Sequence, residues 1–150
     1  MRLSRGDSAV IWKVLHPSTE TKLTRAADRP LILAGEVNGW RILNLSGLGE
    51  KGVQELLERE SAIMADIVIT GAAAGSVRSA SELVKKSKPS VVIFGPAQFQ
   101  AKVSDADLKA LKSNAPNVIS LDREGAVTIN LRKSLCEIET ASGMKIELRK

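Results

Sequence analysis

Apolar and polar positions alternate through residues 9–16 (AVIWKVLH), and the β-branched and aromatic content of this run predicts a strand. Pro17 ends it, and the polar stretch STETKLTRAADRP reads as a loop running to Pro30. Residues 31–37 and 40–45 flank Asn38-Gly39, the dipeptide that most favours a two-residue hairpin turn. Val53, Leu56, Leu57 and Ile63 recur on one face, which predicts a helix over residues 50–63. From residue 66 the pattern becomes short apolar runs separated by helical ones. Strands are expected at 66–70 (DIVIT), 90–95 (SVVIFG) and 117–121, and helices at 77–86 and 104–115. Ser104, with Asp107 three residues on, has the form of a cap for the second of these helices. Residues 122–125 form a turn into a strand over 126–131, and 135–140 with 144–148 make a closing hairpin about Ser142-Gly143. Strand–helix alternation between an antiparallel start and an antiparallel tail predicts one α/β domain spanning residues 1–150.

Composition narrows the class. A chain of 150 residues with 43% hydrophobic and 26% charged content is ordinary for a folded domain and unlike a disordered one. The uncharged stretch 67–77 is too short to cross a bilayer, which needs about 20 apolar residues. No cationic start followed by an apolar core suggests a signal peptide, so the segment itself reads as soluble. The net charge of +5 is spread as +2, +1 and +2 over successive fifties. Lys85, Lys86 and Lys88, and Arg132 with Lys133, come in groups, but the rest are spread, so the sequence predicts no basic stripe of the kind that nucleic-acid binders carry. With no tyrosine and two phenylalanines, a base-stacking surface is not expected.

The chemistry available is limited. His16 is the only histidine, so one chain cannot build a multi-histidine metal site, and its VLHP setting suits a structural or surface role. Cys136 is the only cysteine, which excludes an internal disulfide, and its apolar neighbours predict a half-buried strand position with no base to lower its pKa. Asp7, Asp28, Asp66 and Asp122 each fall near a turn or strand end; Asp66 is expected to cap or orient the start of its strand, and Asp122 to shape the turn before Gly125. Nothing pairs two carboxylates for acid–base work. Gly47, Gly49 and Gly52 form GLGEKG, but this follows a hairpin strand and does not open a βαβ unit, so it is not a dinucleotide fingerprint. The loop 71–76 (GAAAGS) lies between a buried strand and a helix. It reads either as a small-residue turn for close packing or as an anion site made by its N–H groups, Ser76 and Arg78; the Gly-Lys-Ser/Thr ending of a nucleotide P-loop is absent.

The order of these segments resembles the second half of the C-terminal metallo-β-lactamase-like domain of ComEC-type competence proteins, the membrane channels that take up transforming DNA. RGDSAVIWKVLHP is similar to the family's strand ending in Leu-His-Pro. DRPLILAGEVNGWRILNLSGLGEKGVQELL resembles its hairpin, Leu-Leu-Thr-Gly-Asp and helix. ADIVITGAAAGSVRSASELVKKSKPSVVIFG is similar to its Ala-Asp-Val-Leu-Lys-Val-x-His-His-Gly-Ser, helix and following strand, and NVISLDREGAVTI to its closing Val-Tyr-x-Thr-Asp-x-Asp-Gly-Ala-Ile-Thr-Val. The resemblance covers nearly the whole chain and rests on the order of the motifs, since none is specific alone. It implies half of an αββα sandwich, a mixed sheet with helices on one face, belonging to a longer membrane protein.

The departures from the family pattern bear on function. The resemblance puts Gly47 where the family has its bridging aspartate, Ala73 and Ala74 at the His-His pair, and Lys102 at a later histidine; Gly75 and Ser76 are retained. None of Gly47, Ala73, Ala74 and Lys102 supplies a zinc or manganese ligand, so no metal cofactor and no hydrolase activity are expected. The resemblance therefore implies a non-catalytic accessory domain of a DNA-uptake protein, membrane-associated through its parent channel and touching DNA weakly through spread basic groups. Two alternatives stand beside it: an anion-binding module using Gly75, Ser76, Arg78 and Lys102, or an interaction domain, a homodimer included, that uses the sheet face left open by the missing half.

Overall fold

The computed structural model describes residues 2–5, 8–60, 62–72, 77–96 and 104–150. Seven strands form one sheet in sequence order: β1 (Arg2–Arg5), β2 (Ser8–His16), β3 (Ile32–Val37), β4 (Trp40–Ser46), β5 (Ile67–Ala72), β6 (Val91–Pro96) and β7 (Asn117–Ser120). Pairing is antiparallel from β1 to β4 and parallel from β4 to β7, so the sheet is mixed. The parallel strands need crossovers, and α1 (Glu50–Arg59), α2 (Val77–Ser87) and α3 (Asp105–Lys112) supply them. After a single-turn helix, α4 (Leu121–Glu124), the strands β8 (Val127–Leu131), β9 (Leu135–Thr140) and β10 (Lys145–Arg149) form a second, antiparallel sheet with β9 at its centre.

The apolar runs of β5 and β6 are continuous because both faces are buried. Val68, Val92 and Phe94 face the helices, packing with Leu56, Leu83, Val84, Leu108 and Leu111. Their neighbours Ile67, Val91 and Ile93 face the second sheet, packing with Cys136 and Ile138 of β9. Full burial of a side chain such as Phe94 contributes roughly 1.5–3 kcal/mol. The order is helices, mixed sheet, second sheet. The face that a half-sandwich would leave open is thus covered in part by the chain's own tail, while β2 still exposes Val14 (53%).

Asn38 and Gly39 both have positive φ (52° and 82°), the geometry of a primed hairpin turn. Gly35 of β3 lies beneath the Trp12 ring, where a Cβ would come within 2.6 Å of it, so only glycine admits that close approach. Several boundaries differ from the sequence pattern. The helix expected over 50–63 ends at Arg59, because Glu60 turns extended and Ile63 enters the core from non-helical chain. The turn expected at 122–125 is the helix α4, closed by Gly125 at φ +73°. Strand β1 is not foreshadowed, since Arg-Leu-Ser-Arg offers one apolar residue and is ordered by pairing with β2. Among the described residues no helix is long and apolar enough to cross a membrane.

Candidate functional site

In a parallel sheet the strands' carboxyl ends gather the loops that bind ligands. Here β4 and β5 end side by side, with Ser46 opposite Gly71, so Gly47 and Ala72 lie at one edge. Arg78 lies in the first turn of α2 at the same edge. Ala73, Ala74, Gly75, Ser76 and Lys102 lie outside the described residues, as does Asp7. Gly47 has φ +43° and no side chain, so it contributes neither a metal ligand nor a proton carrier. Among the described residues no group of three or more His, Cys, Asp or Glu is placed to hold a metal ion. Beside this edge an open, mainly apolar cavity of about 510 Å³ lies between the two sheets, lined by Ile69, Ile93, Leu121, Gly125, Ala126 and Val127. Gly52, the last glycine of GLGEKG, faces the Asp28 carbonyl; a Cβ there would lie 2.7 Å from that oxygen and 2.5 Å from Leu48. It serves helix packing.

His16 is fully buried, although strand alternation would turn it away from its neighbour Leu15, which is also buried. A bulge between Val14 and His16 resolves this by breaking the β2–β3 register. Its Nε2 donates to the Asp28 carbonyl at 2.7 Å, and its Nδ1 faces Glu55 Oε1 at 3.8 Å, beyond hydrogen-bond reach. Glu55 in turn accepts from the Thr21 hydroxyl and, weakly, from Arg59 at 3.5 Å, while Arg59 also donates to the Leu15 carbonyl. The histidine thus ties the 17–31 loop to β2 and does not reach solvent. An open cleft of about 400 Å³ nearby is lined by Ser18, Glu20, Lys22, Glu55, Glu58 and Arg59, a mixture of signs that selects no single charge.

Among the described residues the most connected polar group is Asp66, at the opposite end of the sheet where the parallel strands begin. It accepts the Arg41 backbone N–H at 2.8 Å, the Arg41 guanidinium at 3.0 Å and Lys150 Nζ at 2.6 Å. Burial would raise its pKa, but these hydrogen bonds outweigh that effect and hold it at about 2. The same carboxylate raises Arg41 through its side-chain hydrogen bond. Lys150 also donates to the Gly39 carbonyl at 2.6 Å and lies 4.6 Å from the centre of the Trp40 ring, whose Nε1 donates to the Arg132 carbonyl at 2.7 Å. Asp66 orients the start of its strand, as its position in the sequence suggests. Its partners lie 25 and 84 residues away in the chain, and no local spacing could have revealed them.

Cys136 is fully buried in β9, deeper than the half-buried position its alternation predicts, because the second sheet packs directly on the first. Burial, then the charges of Asp66 and Glu137, push its thiol pKa up. In the native protein it is expected to react with a thiol-specific disulfide reagent far more slowly than free cysteine at pH 8. Adding denaturant should restore full reactivity; rapid native labelling would mean that the second sheet opens readily. No protein-family model matches the chain, and no curated protein matches it.

Proposed function

We propose that this chain is a non-catalytic module of metallo-β-lactamase-like type, the second half of such a sandwich. In this reading it is an accessory domain of a ComEC-type DNA-uptake protein, held at the membrane by its parent channel and touching DNA weakly. The element order supports it: a hairpin, a crossover helix, then parallel strands with every crossover helix on one face. The observation that carries the non-catalytic part is Gly47. It follows β4 at the loop-bearing edge, beside the end of β5, and brings no ligand or proton carrier to it. Partners in this reading are the rest of the channel, DNA and, across the stretch of β2 that exposes Val14, a second copy of the chain.

The test is a fluorescently labelled duplex of arbitrary sequence titrated with the purified chain, with and without manganese and zinc. Expected is micromolar to sub-millimolar affinity, the range of non-specific contacts, falling steeply with salt. The duplex should stay intact, and chelator should change nothing. Manganese-dependent cleavage that chelator stops, or stoichiometric metal in the purified chain by elemental analysis, would overturn the non-catalytic assignment. No binding at low salt would overturn the DNA contact.

A further inference from the structure

The two basic groups, apart in the sequence, lie at the same end of the main sheet, one on its helix side and one on its second-sheet side. Helices α2 and α3 pack against each other and both run back toward the start of the next parallel strand, so their C-terminal ends lie at one end of the sheet. That end carries Lys85, Lys86 and Lys88 from α2 and its exit, and Lys112 from α3, all exposed. A chain of hydrogen bonds carries the surface across to the second sheet. The Ser87 carbonyl accepts from Ala65 N–H at 3.1 Å, Ser90 N–H donates to the Asp66 carbonyl at 2.9 Å, and the Asp66 carboxylate holds Arg41 and Lys150. Lys150 N–H then donates to the Ser134 carbonyl at 3.2 Å, which brings in Arg132 and Lys133.

Three acids of this surface are engaged, while exposed Glu36, opposite Arg41 in the β3–β4 pair, forms no ion pair among the described residues. Asp66 is held by Arg41 and Lys150, Glu137 by Arg132 at 3.4 Å and Glu147 by Arg149 at 3.3 Å. Glu82, one turn up from Lys86, is the only acid of α2. Lys85, Lys86, Lys88, Lys112 and Lys133 form no ion pair among the described residues. The loop-bearing carboxyl edge is different: Arg25, Arg29, Lys51 and Arg123 are interspersed there with Glu20, Glu50, Asp105, Asp122 and Glu124. Lys88 adds a second observation. It takes φ +49° just after α2, the left-handed position where glycine is the ordinary helix terminator, so a cation is kept there against a conformational cost.

We infer that this lysine surface, at the end of the sheet remote from Gly47 and Gly71, is the face that contacts the phosphate backbone of duplex nucleic acid. The nucleic acid as partner rests on the function proposed above; the position of the face rests on the charges alone. Ammonium groups without interleaved aromatics suit sequence-independent phosphate contact, since Trp40 and Phe94 are buried and offer no stacking platform. Among the described residues, of the exposed large apolar side chains only Met64 adjoins α2's exit, and Ile11 lies on β2, with β3 and β4 between; two scattered side chains disfavour insertion into a bilayer.

The test compares two variants of equal charge loss in the intact chain, K85Q/K86Q/K88Q/K133Q and R25Q/R29Q/K51Q/R123Q, by anisotropy with a labelled duplex between 50 and 200 mM salt. The first should bind at least tenfold more weakly, with a salt slope shallower by about 0.9 for each phosphate it no longer neutralises. The second should stay within about threefold of wild type, and the arginine version of the first set should recover most of the binding. Lys88→Gly separates folding from contact: it should match or exceed wild-type stability while binding DNA less well. Equal weakening by both quadruple variants would overturn the placement and leave the DNA contact standing. Absence of wild-type binding would overturn the DNA contact and the placement together. Loss of binding to vesicles containing phosphatidylserine, with DNA binding untouched, would reassign the face to a membrane and overturn the proposal.

Discussion

Trp40→Ala is expected to be among the most destabilising single substitutions in this protein, at about 4 kcal/mol. The indole is 2% exposed and lies in the cluster between the two sheets with Ile42, Ile67, Cys136 and Ile138. Its Nε1 donates to the Arg132 carbonyl at 2.7 Å, and its ring faces the Lys150 ammonium, so removal leaves a cavity, an unpaired carbonyl and a cation without its ring. For a chain of this size such a loss lowers the melting temperature by roughly 8–16 °C. Trp40→Phe keeps most of the volume and should cost about half as much. Urea unfolding of both variants checks the prediction. A change below about 1 kcal/mol for the alanine variant would mean that the second sheet contributes little to stability.

Asp66→Ala should cost about 3 kcal/mol, since it strips the Arg41 backbone N–H of its acceptor and leaves Arg41 and Lys150 without their shared partner. The effect depends on pH with a defined sign. The folded carboxyl sits at about 2 against an ordinary 3.8, so its stabilisation is complete above about pH 5 and disappears as pH falls through 4 toward 2. The shift corresponds to about 2 kcal/mol. The stability difference between wild type and Asp66→Ala should therefore be constant from pH 5 to 8 and shrink by that amount on acidification. A difference that does not change between pH 5 and 2 would show that the carboxylate's charge is not what holds this end together.

The two predictions concern one junction, where the last residue of the chain, the first residue of β4 and the residue before β5 meet. The contacts join Trp40 to Arg132 and Asp66 to Lys150, so the second sheet is fastened to the first by its final strand as well as by its apolar face. The same junction carries the lysine surface across from the helices to the tail. Its charged groups serve stability where they are paired and remain free for contact where they are not.

The strands and helices were largely legible because their signals are local. The Asn38-Gly39 turn needs only two residues to specify it, and the apolar runs of β5 and β6 announce burial on both faces. The absence of ligand chemistry at Gly47 is a matter of residue type. Whatever depends on long-range pairing was not legible: the bulge that buries His16, the folding of β8–β10 over the sheet and the partners of Asp66. The basic surface belongs with these, because charge spread evenly along a sequence says nothing about its spread in space. Residues 85–88 and 132–133 share one end of the sheet because each crossover helix returns to the end where the next parallel strand begins and the tail packs across the other face. The sequence by itself determined which segments are strands and helices and which side chains can do chemistry. The tertiary structure decided which of them stand together, since that follows from sheet order and layer packing, which no local pattern encodes.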